Sequence, residues 1–204
     1  MKNYGNIVIL AAGGSSRLGS PKQSLQYGET TLLEHSVRIA LASMARRVTL
    51  VLGANAATGA LNLQNEKLTV IVNDQWQEGM AASIRCGLQH LLQQVPAPES
   101  VLYMACDQPF ISVDLLDKLI TLQKQKGHAV VASEYAGTMG IPAVFDKSLF
   151  PELMQLTGDA GAKKMMMQHK EKLAAVSFPL GAIDIDTEAD YINLQKNLTR
   201  QHDS

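Results

Sequence analysis

The chain is poor in the features that would commit it to several common classes of protein. It has only two cysteines, Cys86 and Cys106, too far apart for a CxxC site, and its five histidines include no HExxH spacing. Both cysteines therefore read as reduced structural residues, and the chain carries no sequence signature of a zinc site. No charge dominates. Eighteen basic residues stand against nineteen acidic ones, a formal charge of -1, so the basic excess needed to neutralise a stretch of phosphate backbone is missing and no nucleic-acid partner is expected. Long apolar runs are missing too. The run at 7–12 has six residues, far below the roughly twenty that span a bilayer. It passes directly into glycines and serines instead of a small-residue cleavage site. No membrane partner is expected, and a cytoplasmic location is. Internal repeats and low-complexity segments are likewise lacking.

What the chain does have is the apolar content of a globular protein, 46% of 204 residues, enough for one α/β domain over 1–204 with a sizeable core. Short apolar runs predict strands at 7–10, 47–52, 68–72, 100–104 and 128–133. Helical spacing fills the gaps. Leu32, Leu33, Val37, Ala40 and Leu41 form one face, Ile84, Leu88, Leu91 and Leu92 another, and Leu115, Leu116, Leu119 and Leu122 a third. Strand then helix, repeated, implies a mainly parallel sheet whose ligands bind beyond the carboxyl ends of the strands. After Ser133 the alternation loosens at Gly137, Gly140 and Pro142, ahead of a helical stretch from Pro151, and this half is expected to carry an acceptor pocket. Met165, Met166 and Met167 read as core filling. The tail after Tyr191 reads as a closing helix with a frayed end.

The strongest local signal follows the first strand: Leu10-Ala11-Ala12-Gly13-Gly14-Ser15-Ser16-Arg17-Leu18-Gly19-Ser20-Pro21-Lys22-Gln23. It is not a dinucleotide fingerprint, because Gly13 and Gly14 are adjacent and the next glycine is Gly19. Nor is it a P-loop, since Ser20 and Pro21 occupy the places of its Lys and Ser/Thr. What remains is a small-residue loop whose backbone N–H groups can approach a ligand, with Arg17 and Lys22 five residues apart. That combination suits a triphosphate. Each cation adds charge-assisted hydrogen bonds of roughly 1.5 to 3 kcal/mol, and Pro21 stiffens the approach to Lys22. The competing reading is a strand-to-helix turn with two solvated cations.

This loop resembles the signature LAAGxSxRxGxxKQ of the molybdenum cofactor cytidylyltransferases and their relatives of GT-A-like nucleotidyltransferase fold. Later segments resemble that family's further motifs in the same order: Asn73 through Leu88, Asp107-Gln108-Pro109, Gly140-Ile141-Pro142-Ala143, Gly158-Asp159-Ala160-Gly161-Ala162 and Asp184-Ile185-Asp186-Thr187. Leu18 stands where methionine is common, and Ser24, Gln26 and Tyr27 replace a more apolar segment. The resemblance implies a three-layer, Rossmann-like fold and nucleotide contacts from Leu10, Ala11, Ala12, Gly13, Gly14, Arg17, Lys22 and Ser83. Ala12 resembles the cytidylyl-type enzymes, where guanylyl-type relatives usually carry glycine. The implied reaction transfers CMP from CTP to the phosphate of a molybdopterin-type cofactor, releasing pyrophosphate, and a recipient molybdenum hydroxylase or its chaperone is an implied partner. Use of GTP, transfer to another acceptor such as a sugar phosphate, and a non-catalytic cofactor carrier are the alternatives.

Carboxylates complete the candidate site. Asp107 follows the apolar run 101–105, where a strand-end carboxylate can reach a ligand in the sheet crevice, and Mg²⁺ is its expected partner. Helix capping or turn chemistry is the competing role. Asp186 is the candidate second ligand, with Asp184 behind it, because residues two apart on an extended segment face the same way. Either aspartate could instead cap the following helix. Ser83 could be a plain N-terminal helix serine, and the segment 158–161 could be an anion loop or a turn with Asp159 as N-cap. Lys22, Arg17 and Asp107 are the expected catalytic residues.

Overall fold

The computed structural model describes residues 5–13, 24–53, 64–159, 161–185 and 187–202. Among these, seven strands form one sheet in the order β5-β4-β1-β6-β8-β7-β9: β1 (Asn6–Ala11), β4 (Arg47–Gly53), β5 (Leu68–Asn73), β6 (Ser100–Ala105), β7 (Val130–Tyr135), β8 (Thr138–Asp146) and β9 (Leu173–Ser177). A two-residue pair, β2 (Gln26–Tyr27) and β3 (Thr30–Thr31), forms a separate hairpin. The helices are α1 (Leu32–Ala42), α2 (Met80–Leu92), α3 (Val113–Lys126), α4 (Phe150–Leu153), α5 (Lys163–Gln168) and α6 (Glu188–His202). Pairings β4–β5, β1–β4, β1–β6 and β7–β9 are parallel, and β8 runs antiparallel to both its neighbours. The sheet is thus mainly parallel, as the alternation implied, with one reversed strand inside it.

The core explains the sequence pattern. Parallel strands covered on both faces read as continuous apolar runs, and every residue of β1 is buried. One face of the sheet packs with Leu33, Val37, Leu116 and Leu119 of α1 and α3; the other packs with Ile84, Leu88 and Leu91 of α2 and with Met165 and Met166 of α5. Two of the three consecutive methionines therefore fill the core, while Met167 is exposed. Cys106 is buried, Cys86 is half-buried, and both are free thiols.

Local chemistry sets the helix ends. Thr31 accepts from the Glu34 amide at 3.1 Å while Glu34 accepts from the Thr31 amide at 3.3 Å, a capping box that starts α1. Ser112 caps α3, and Gly127 at φ +61 ends it.

The structure departs from the sequence reading in the second half. The strand expected at 128–133 runs from Val130 to Tyr135, and β8 occupies a stretch whose Gly140 and Pro142 argue against an interior strand. A bulge resolves the conflict: pairing with β7 steps from Ala132↔Ala143 to Ser133↔Gly140, skipping 141 and 142. The proline therefore sits where the ladder needs no donor, and its carbonyl accepts from Ser133 Oγ at 2.7 Å. The helical stretch from Pro151 is the single turn α4.

Candidate active site

The carboxyl ends of β1 and β6 lie side by side. Leu10 pairs with Ala105 across the parallel ladder, and the Cys106 amide donates to the Leu10 carbonyl at 3.4 Å. The glycine-rich loop and Asp107 therefore leave the sheet next to each other, at the position where doubly wound sheets bind ligands. Leu10, Ala11 and Ala12 are buried, whereas Gly13 is exposed and a Cβ there would meet none of the described residues within 4 Å. The chain thus opens to solvent at Gly13. Gly14, Arg17 and Lys22 lie outside the described residues, as does Asp186.

The turn carrying Asp107 is fastened from below. Ser36 Oγ donates to the Cys106 carbonyl at 3.3 Å, and the Pro109 carbonyl accepts from Tyr27 Oη at 3.4 Å and faces His35 Nε2 at 3.2 Å. The latter contact makes Nε2 the protonated nitrogen of a neutral ring. Burial holds the His35 pKa below its ordinary value, with the Pro109 carbonyl opposing. Because Ser112 caps α3, Asp107 is not the cap of that helix.

A second carboxylate comes to the same place from the far end of the chain. The Ile185 amide donates to the Asp107 carbonyl oxygen at 3.0 Å, and Ile185 is buried against Leu32 and Leu194, so Asp184 is exposed beside the β6 end. Both Asp107 and Asp184 act on Tyr135. Burial raises the Tyr135 pKa, the two carboxylates add to that rise, and a hydrogen bond from the Gln108 side chain opposes it. Asp184 is not a helix cap. Thr187 takes that role, its hydroxyl accepting from the Asp190 amide at 3.2 Å while the Asp190 carboxylate accepts from the Thr187 amide at 2.8 Å.

The segment after β5 forms the third wall. Asn73 Nδ2 donates to Ser83 Oγ at 3.1 Å and Asn73 Oδ1 accepts from the Gln75 amide at 3.0 Å, so both side chains are buried and Ser83 is tied to the end of β5. Gly79, at φ +100, admits close packing with the segment 158–159: a Cβ there would stand 2.3 Å from Asp159 Oδ1 and 2.8 Å from the Gly158 backbone. The Gly158 carbonyl accepts from the Ala81 amide at 3.1 Å, closing one of the open donors at the start of α2. The suggested N-cap role of Asp159 is therefore corrected: α5 starts after Ala162, with no side-chain cap, and the 158–159 turn caps α2 across space. Arg85 reinforces this joint by pairing with Glu78 at 2.9 Å and donating to the Leu156 carbonyl.

A cleft of about 550 Å³ lies in the C-terminal half, lined by residues including Glu152, Gln155, Thr157, Gly161 and Met165. Its lining does not include Asp107 or Gly13. Sequence reasoning did not find the parts played by Gln108, Tyr135 and His35. Adjacency of Gln108 to Asp107 was a usable signal for the first, whereas the other two are brought in only by tertiary contacts.

The ends of β1 and β6, where the glycine-rich segment and Asp107 leave a mainly parallel α/β sheet side by side, are the place where sheets of this kind bind ligands. The chain belongs to the MobA-like NTP transferase domain family, whose model matches residues 7–173, and it is a nucleotidyltransferase of that family. It is 30% identical over 168 residues to nicotine blue oxidoreductase of Paenarthrobacter nicotinovorans, covering 79% of this chain and 80% of that protein. It is 24% identical over 195 residues to the molybdenum cofactor cytidylyltransferase of Escherichia coli (strain K12), covering 94% and 96%. Rv0371c from Mycobacterium tuberculosis H37Rv, crystallised in complex with manganese, superposes with a TM-score of 0.75 at 27% identity, covering 96% of this chain and 100% of that one.

Proposed function

We propose that the chain transfers CMP from CTP to the phosphate of a molybdopterin-type cofactor, forming its cytosine dinucleotide and releasing pyrophosphate. The observation that carries this reading is the adjacency of the glycine loop and Asp107 at the ends of paired strands β1 and β6. Five ordered motifs that resemble cytidylyltransferases and the near full-length match to the Escherichia coli enzyme favour this acceptor.

The donor set suits Mg²⁺. Asp107 and Asp184 are hard oxygen ligands that share one neighbourhood, and among the described residues no group of three His, Cys, Asp or Glu gathers. One or two carboxylates, completed by substrate phosphates and water, is the usual arrangement for that ion. Asp107 would hold it together with Asp186 or Asp184. When bound, it neutralises charge on the triphosphate oxygens.

An acceptor phosphate oxygen attacks the α-phosphorus in line. The new bond joins that oxygen to the α-phosphorus, the bond to the β-phosphate bridge breaks, and pyrophosphate carries off the electron pair. The acceptor is already an anion at neutral pH, so positioning and charge neutralisation suffice without a general base. Arg17 and Lys22 stabilise the triphosphate, joined by backbone donors from Ala12 to Gly14, which Leu10 and Ala11 carry at the end of β1; Ser83 shapes the wall. A recipient molybdenum hydroxylase or its chaperone would take the product.

The test incubates the protein with each of the four nucleoside triphosphates, with and without the pterin cofactor, and measures pyrophosphate. Pterin-dependent release with CTP preferred over GTP by about 10-fold, some 1.4 kcal/mol, is expected. Equal use of the two removes the cytidylyl assignment, release with a sugar phosphate instead moves the acceptor, and binding without release leaves a carrier. Oxidoreduction is the second reading, favoured by the 30% identical relative named for such a reaction; reductant-dependent bleaching of a dye without pyrophosphate release would select it.

A further inference from the structure

Gln108 has the burial of a core residue and the hydrogen bonding of a strut. Only 6% of its surface is exposed, its Nε2 donates to the Gly181 carbonyl at 3.0 Å, and its Oε1 has no partner among the described residues. A buried acceptor without a donor costs stability, so packing alone does not favour glutamine over an apolar side chain of the same length here. The amide earns its place through what Nε2 holds.

What it holds is the segment bearing Asp184. Neighbouring residues of one turn grip that segment on both sides of the carboxylate: Gln108 at Gly181, and the Asp107 carbonyl at the Ile185 amide, 3.0 Å away. Tyr135 backs the grip. Its hydroxyl donates to the Ile141 carbonyl at 3.0 Å, and its ring lies so close to Gly181 that a Cβ there would come within 2.7 Å of it. On the opposite side a Cβ at Gly140 would stand 2.1 Å from the hydroxyl oxygen, so only glycine at 140 and 181 admits the wedge. The Phe178 amide donates to the Glu134 carbonyl at 2.9 Å, fixing where the segment leaves β9.

We infer that Gln108 is a positioning residue that sets the place of Asp184 relative to Asp107, with Tyr135 as its support, and so tunes the affinity of the site for a divalent cation. This rests on the metal reading of the preceding subsection. It concerns a ligand-orienting residue beyond the carboxylates themselves, and such outer partners commonly govern metal affinity.

The test measures binding of Mn²⁺ alone to the full chain by the loss of its free-ion paramagnetic resonance signal, beside thermal unfolding. Gln108→Met keeps the volume and removes both amide atoms; it should bind Mn²⁺ about 10-fold more weakly with a melting temperature within about 4 °C of the wild type. Tyr135→Phe keeps the wedge and loses only the hydroxyl, and should weaken binding in the same direction by about 3-fold. Wild-type affinity in a folded Gln108→Met protein overturns the inference. If that variant does not fold, wild-type affinity in Tyr135→Phe does the same. Failure of the wild-type chain itself to bind Mn²⁺ is a different result, which overturns the metal reading and this inference with it.

Discussion

Gly87→Ala sets two magnitudes against each other on the helix that leads away from the candidate site. Alanine in place of glycine inside a helix gains about 1 kcal/mol of propensity. Here the new methyl has nowhere to go: a Cβ at Gly87 would stand 2.5 Å from Val8 Cγ1, 3.2 Å from Val8 Cγ2 and 3.3 Å from Val51 Cγ2, where carbon atoms pack best at about 3.5–4.0 Å. Relief requires α2 to retreat from the sheet by about 1 Å or Val8 to leave its rotamer. Val8 is fully buried in a central strand and its β-branched side chain is stiff. Overpacking of this kind costs about 1–3 kcal/mol, and a short contact against a β-branched residue belongs at the upper end. The net expectation is a loss of about 1–2 kcal/mol, or about 2–8 °C in melting temperature for a chain of this size. Thermal and urea unfolding followed by circular dichroism would measure it. A cycle with Val8→Ala isolates the cause: the alanine methyl then occupies the space that the valine vacated, and the coupling should be at least about 1 kcal/mol in the favourable sense. A Gly87→Ala protein as stable as the wild type, or a cycle that is additive, would refute the account of how α2 seats on β1.

Lys22→Ala should lower pyrophosphate release by at least about 100-fold, since about 2.7 kcal/mol of transition-state stabilisation is two decades in rate; near-normal turnover removes its assigned role. Asp107→Asn should fold normally, because amide and carboxylate have similar volumes, yet lose cation-dependent turnover by about 100-fold or more, and retained activity under chelation would end that assignment. For pH, His35 has a folded pKa below its unfolded value, so between the two the unfolded chain binds more protons. Stability should then be full above the unfolded value near 6.5 and fall as pH drops toward the folded one, by at most about 1.4 kcal/mol per pH unit. His35→Gln, compared by urea unfolding across that window, should show a shallower fall, and an identical slope would show that His35 is not the group responsible.

The sequence by itself determined the architecture, because local signals and tertiary demands coincide there. Buried parallel strands must be apolar throughout, which is why the runs at 7–10, 47–52 and 100–104 sit inside observed strands; the run at 68–72 falls in β5 as well, but at the edge of the sheet, where Val70 and Val72 are exposed. The helical faces of α1, α2 and α3 were legible for the same reason, and the glycine loop was visible through its composition and its place after the first strand. The strand β8 was not, because Gly140 and Pro142 read as punctuation; only its pairing with β7 shows that β8 bulges at 141 and 142, which takes Pro142 out of the ladder while Gly140 pairs with Ser133. Asp159 offered a sequence-local capping role, but its turn instead closes the start of α2, and Gly79 at φ +100 makes that approach possible. The neighbourhood of Asp107 was least legible of all. Asp184, Tyr135 and Gln108 meet there through contacts such as Ile185 to Asp107 and Gln108 to Gly181, more than seventy residues apart. No periodicity encodes such contacts, because they depend on where the last segments of the chain return across the ends of the strands, and only the folded chain decides that.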